Sequence, residues 1–291
     1  MIAALWDFFA LPLSFPFMQR ALLVAVLVGA VSAVLSCYLV LKGWSLMGDA
    51  ISHAVLPGIV LAYIVGLPLS AGAFLAGLTC ATLTGYLKEN SRVREDTIMG
   101  IVFSGMFGFG LVLFTKVETE QHLNHILFGN LLGITDSELT EIIVVAAVVL
   151  VAVLIRRRDL LLYCFDQQHA RAIGLRVGWL YYGLLALLSL AIVASLKAVG
   201  IILVVAMLVA PGATAYLLSK RFERMLVIAV LVAVASSVAG TLLSFHLDAA
   251  TGPSIVLLQA ALFIGALILT RARRISASAD HQTVGRPLAG G

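Results

Sequence analysis

Apolar stretches long enough to cross a bilayer alternate with short polar breaks from one end of the chain to the other. They fall at residues 21–41, 46–66, 68–87, 97–115, 139–155, 179–196, 199–218, 226–245 and 255–270. A helix needs about 20 mainly apolar residues to span ~30 Å of hydrocarbon, and in lipid every backbone polar group must be satisfied within the helix itself. The pattern therefore predicts an all-α fold, a polytopic transmembrane helical bundle of eight or nine spans. The least marked breaks are the loop 42–45 and the single residue Lys197.

Three regions follow from this pattern. Residues 1–18 read as an interfacial segment, because LWDFF and FPF are aromatic clusters without a spanning length. Asp7, two prolines and the lack of a basic start argue against a cleavable signal peptide. Residues 19–272 form the transmembrane domain. Residues 273–291 are polar and without periodicity, which predicts a disordered cytoplasmic tail.

Composition excludes the soluble classes. The chain is 62% hydrophobic and 12% charged, against about half and a quarter in soluble domains. Its net charge of +4 forms no basic stripe with interleaved aromatics, which excludes a nucleic-acid partner. Cys37, Cys80 and Cys164 are scattered and read as buried thiols. HExxH, GxSxG and Walker A motifs are absent, so no catalytic set or ATP site is present, and uphill transport would draw energy from elsewhere.

Charge does set orientation. Of the 19 basic residues, all but Arg20, Lys116 and Lys197 fall in the loops 42–45, 88–96, 156–178 and 219–225 and in the tail. By the positive-inside rule these loops face the cytoplasm. The N-terminus and the acidic loop with Glu118, Glu120, Asp136 and Glu138 then lie outside.

Within the grease, WSLMGDAISHAVLPGIVLAYIVG (44–66) carries Asp49 and His53 at i, i+4, one above the other on one helical face. An ionisable group in a span is costly and marks function by default. Together they offer oxygen and nitrogen ligands of the kind that Mn²⁺, Fe²⁺ and Zn²⁺ accept. His53 lies about nine residues, or roughly 13 Å of helical rise, into the span, near the middle of the bilayer. Pro57-Gly58 follows one turn later and predicts a kink beside the pair. A buried polar pair bonded to neighbouring helices is the competing reading.

Two ligands are too few for an ion. His246 and Asp248, in SFHLDAATGPS, would complete the site or a gate above it, unless they belong to a solvated turn. Met207 reads as core packing. His122 and His125 sit in an outer loop read as a re-entrant or interfacial helix. Gly100, Ser104 and Gly108 form a small-residue stripe suited to close helix contact. In the cytoplasmic loop RRRDLLLYCFDQQHARAIGLRVGW, Ala170 and Gly174 predict a short helix with a flat face ending in a C-cap glycine. Such a helix suits docking to a soluble partner.

GWSLMGDAISHAVLPGIVLAY, HILFGNLLG, FDQQHARAIGL, AVGIILVVAMLVAPGATAYLLSKR and DAATGPSIVL resemble the membrane permeases of bacterial ABC importers for manganese, iron and zinc. The resemblance runs over roughly residues 17–270, and MGDAISHAVLPG is closer to the manganese/iron branch. It implies the ABC importer permease fold in the bacterial inner membrane, with no permanently bound cofactor and Mn²⁺, Fe²⁺ or Zn²⁺ as cargo. The implied partners are cytoplasmic ATP-binding subunits, a periplasmic or lipid-anchored metal-binding protein, and a second permease subunit, identical or not. By motif match Asp49 and His53 take the acidic and histidine positions of the translocation path. The segment Gln168, His169, Ala170 and Gly174 matches the ATPase-coupling helix, with Gln168, His169 and Ala170 replacing the common glutamate-alanine-alanine opening. A proton-coupled secondary metal transporter and a polytopic membrane enzyme are the alternatives.

Overall fold

The computed structural model describes residues 11–116, 129 and 131–284, which among themselves form helices and one short 3₁₀ turn, Leu131–Gly133. In chain order the helices are α1 (Pro16–Lys42), α2 (Met47–Ala54), α3 (Leu56–Val65), α4 (Leu69–Glu89), α5 (Glu95–Phe114) and α6 (Asp136–Ile155). They continue with α7 (Arg157–Phe165), α8 (Gln167–Ala172), α9 (Val177–Leu218), α10 (Phe222–Leu247) and α11 (Thr251–Val284).

Nine helical segments among the described residues are long and apolar enough to cross a membrane, and each falls on one of the stretches read from the sequence. Differences lie at the ends. The first span begins at Pro16, inside the segment expected to be interfacial, because proline at the first helical position gives up no backbone bond. Helix α11 continues to Val284, past the start of the expected disordered tail at 273. Its Arg and Ala residues propagate a helix already nucleated in the preceding span.

Helix α9 holds two spans, Val177–Leu196 and Ala198–Leu218. They divide at Lys197, where the sequence put the break, and the backbone departs from helix three residues later at Gly200, with φ 73° and ψ 169°. That is a conformation L side chains rarely adopt. The second arm carries Pro211, which has no N–H for the Met207 carbonyl. Ser36 of α1 stitches this point: its Oγ accepts from the Gly212 N–H at 3.0 Å and donates to the Val209 carbonyl at 3.2 Å.

Helix α1 is the central post, packed on α6, α7, α9 and α10. Two-thirds of its apolar window is buried within the chain, against 17% for α11 and 22% for α5 and α6. The outer helices accordingly expose apolar side chains, Ile101, Val112, Val144 and Leu257 among them, as lipid-facing surfaces must.

Ion pairs join residues that the charge pattern assigns to one side of the membrane. Arg20 meets Asp136 at 3.0 Å on the outer side, and Lys88 meets Glu95 at 2.6 Å and Arg157 meets Glu223 at 3.7 Å on the cytoplasmic side. Thr135 starts α6 with a capping box, its Oγ1 accepting from the Glu138 N–H while the Glu138 carboxylate accepts from the Thr135 N–H. The three cysteines are free and buried, and burial pushes the Cys164 thiol up to about 12, which keeps it an inert packing group.

Candidate functional site

The span Met47–Val65 packs against α4, α5 and α9. From Met47 to Val60 only two residues are not buried. They are Asp49, 37% exposed at its side chain, and His53, 33% exposed. A helix that hides its apolar residues and opens only along a carboxylate and an imidazole presents a polar strip to space that the chain itself does not fill.

The pair is spaced for one ion. His53 Nε2 lies 3.4 Å from Asp49 Oδ1. Metal bonds to such atoms are about 2.0–2.2 Å long, so two ligands 90–110° apart on one ion are about 3.0–3.5 Å from each other. The same distance also suits a charged contact, so spacing alone permits binding without requiring it. The His53 ring is held from the side by Phe107, edge-on at 5.3 Å between centroids, and by Phe103 at 6.1 Å. These two rings of α5 fix the imidazole on an apolar wall. The sequence reading missed them, although their i, i+4 spacing in a glycine-rich helix was visible.

A break lies directly beyond the pair. The helix interrupts at Val55, and Pro57 has no N–H for the His53 carbonyl four residues back. Close packing holds the broken part. A Cβ on Gly110 of α5 would meet Pro57 Cδ at 2.9 Å, and one on Gly58 would meet Ala76 Cβ of α4 at 2.6 Å and the Gly72 carbonyl oxygen still closer. His53 is the seventh residue of this span, about 9 Å of rise from its start, so the pair sits nearer the Met47 end of the helix than the midpoint read from the sequence.

The other sequence candidates separate. No group of three His, Cys, Asp or Glu side chains among the described residues is placed to hold a metal, so His246 and Asp248 do not join Asp49 and His53 within the chain. They close α10, where His246 Nδ1 bonds the Leu242 carbonyl at 2.9 Å and Asp248 is the helix cap with φ 50°. Their ring and carboxylate serve the end of that helix, at the face opposite the start of α2. Met207 is fully buried in the core. His122 and His125 lie outside the described residues. Gly100 and Gly108 have open space where a Cβ would stand and Ser104 is exposed, so the small-residue stripe on α5 makes no close contact inside the chain. The close approach on that helix is made at Gly110 instead.

In the loop that the charge pattern assigns to the cytoplasm, α8 forms as Ala170 and Gly174 suggest. Asp166 caps it, its Oδ1 accepting from the N–H groups of Gln168 and His169 at 2.9 Å each. Gly174 ends it with φ 85°, its N–H on the Arg171 carbonyl, while the Leu175 N–H reaches back to Ala170. The flat Ala170–Gly174 face is not formed. Ala170 is fully buried beneath the helix and Gly174 stands past its end. The outward side instead carries Gln168 and His169, flanked by Phe165 and Ile173, which are 81% and 57% exposed. In six residues there is no periodicity from which the sequence could have told the two sides apart.

Comparison with known proteins places the same residues in a wider setting. Residues 14–270 match the model of the ABC 3 transport family. The chelated iron transport system membrane protein YfeD of Yersinia pestis is 62% identical, over 91% of this chain and 89% of its own length. The manganese transport system membrane protein MntB of Synechocystis is 51% identical, over 90% and 86%. Among solved structures, PsaBC of Streptococcus pneumoniae in complex with a Fab superposes with a TM-score of 0.81 at 39% identity, covering 91% of this chain and 95% of that one.

Proposed function

This chain belongs to the ABC 3 transport family, and from that membership we propose that it is the membrane-spanning subunit of an ATP-driven importer of Mn²⁺ or Fe²⁺ in the bacterial inner membrane. The observation that carries the reading is the polar strip: in a stretch otherwise buried, only Asp49 and His53 remain open. In this role each supplies one ligand to the passing ion. An oxygen and a nitrogen donor suit the harder Mn²⁺ and Fe²⁺. The relatives named for iron and manganese transport agree with that choice.

One chain offers two ligands, and weak binding is what transport needs, because the ion must leave. The remaining ligands come from across the strip, where a second permease subunit closes the path. The open stripe Gly100, Ser104 and Gly108 on α5, the helix whose Phe107 flanks His53, is the surface we assign to that contact. The chain is not an enzyme. ATP is hydrolysed on a separate subunit docked at α8, and a metal-binding protein outside delivers the cargo.

Docking at α8 has a direct consequence. Ile173→Asp places a charge in the contact without touching the core, and ATPase co-purification should fall at least about tenfold, the loss typical of a central interface residue. Unchanged co-purification would move the docking surface elsewhere.

Reconstitution tests the function as a whole. The permease in vesicles with its ATPase and metal-binding protein should accumulate Mn²⁺ or Fe²⁺ when ATP is supplied, and Zn²⁺ less well. Accumulation without the ATPase, driven by a proton gradient alone, would instead make the chain a secondary transporter.

A further inference from the structure

A groove of about 770 Å³ runs along the first arm of α9, walled by Phe74 of α4 and Ala152 of α6. Its floor is apolar, from Leu180 through Leu184 and Leu187 to Leu190. Its cytoplasmic mouth is polar and carries Arg156, Asp159 and Arg176. We propose that this groove holds one anionic phospholipid of the cytoplasmic leaflet, its phosphate on Arg156 and Arg176 and its acyl chains along α9.

Dimensions and charge select that occupant. From Arg176 to Leu190 the helix rises about 21 Å, and one leaflet of a ~40–45 Å bilayer with its headgroups is about as deep. Within the hydrocarbon an apolar groove cannot be filled by water and takes lipid chains. At the mouth two guanidinium groups face one carboxylate. Arg156 reaches Asp159 at 3.5 Å through a single nitrogen, and Arg176 forms no ion pair among the described residues. The uncompensated charge favours a phosphate without a balancing ammonium. Trp179, 77% exposed at the rim, sits where an indole prefers the membrane–water interface.

The position also suggests a consequence. Of the four residues that join α8 to α9, Gly174, Leu175 and Arg176 line the groove mouth. A headgroup bound there steadies the exit of α8, so lipid occupancy would tune ATPase docking. This consequence rests on the assignment of α8 as the docking helix. The lipid site itself does not.

The test is made on the complete importer, extracted from membranes in detergent and analysed for bound lipid by native mass spectrometry. Wild-type complex should retain phosphatidylglycerol enriched about thirtyfold over its bulk share relative to phosphatidylethanolamine, the gain two juxtamembrane cations offer. The double variant Arg156→Gln/Arg176→Gln should lose the enrichment while keeping its thermal stability. Ala186→Trp, which fills the groove, should lose both lipids. Asp49→Asn, defective in transport, should keep the lipid, which separates this site from the metal path. Retention at the bulk ratio in wild type, or equal enrichment in the double variant, would overturn the proposal. So would a lipid-free groove covered by a second copy of the chain, detected as a cross-link from Ala186→Cys to the partner copy.

Discussion

Asp49→Asn permease inserts, assembles with its ATPase and imports Mn²⁺ at least about tenfold more slowly than wild type, and His53→Ala does the same. Outer partners of a metal ligand alone command about 10–100-fold in affinity, so a direct ligand should cost no less. The stability side of the argument sharpens this. A charged residue within a span costs about 2.5–3.5 kcal/mol on insertion scales, and Asn removes that cost while keeping the shape of the side chain. Asp49 is partly open and its near partner is His53, so the variant breaks no buried network. Insertion should therefore be as good as wild type, or better, while transport falls. A pair that merely bonded neighbouring helices would behave in the opposite way, with Asn transporting nearly normally. Matched expression and ATPase co-purification, measured beside uptake, separate the two outcomes.

The second large effect is expected at the broken part of the same span. Gly58→Leu should destabilise the chain by about 3 kcal/mol or more, the upper range for overpacking. The atoms in the way are the Gly72 carbonyl and Ala76 Cβ. A backbone carbonyl cannot rotate aside, so α3 and α4 would have to separate. Gly100→Leu is the matched control, because open space surrounds its Cβ position. Its effect on the stability of the single chain should stay within about 0.5 kcal/mol, as for substitutions that touch nothing. Thermal unfolding in detergent distinguishes them. Equal melting temperatures would mean that α3 and α4 do not cross at Gly58 and Gly72. Reduced uptake by a stable Gly100→Leu protein would support α5 as the face turned to the second permease.

The sequence was most readable where one physical rule acts alone. Spans emerge because the bilayer demands about 20 apolar residues at a time, and all nine segments land where that rule puts them. Asp49 and His53 stand out for the same reason, as ionisable groups where none is cheap. Features that depend on two segments meeting were not readable. Nothing in Gly58 or Gly72 names the other, and nothing in Phe103 or Phe107 says that they flank His53. The spans on either side of Lys197 divide where the sequence put the break, while the backbone kink three residues on, at Gly200, carried no charge to announce it. His246 and Asp248 had the right chemistry for ligands but belong to the cap of α10, and ligand type without position does not make a site.

The central claim is that the strip on α2 touches the ion. Pulsed electron paramagnetic resonance on Mn²⁺ bound to the purified importer reads this without relying on transport. A coordinating imidazole imprints nitrogen modulation on the Mn²⁺ echo. The account predicts that modulation in the wild-type complex, its loss in His53→Ala, and weaker Mn²⁺ binding with the nitrogen signal retained in Asp49→Asn. Identical nitrogen modulation in wild type and His53→Ala would place the ion elsewhere and contradict the account.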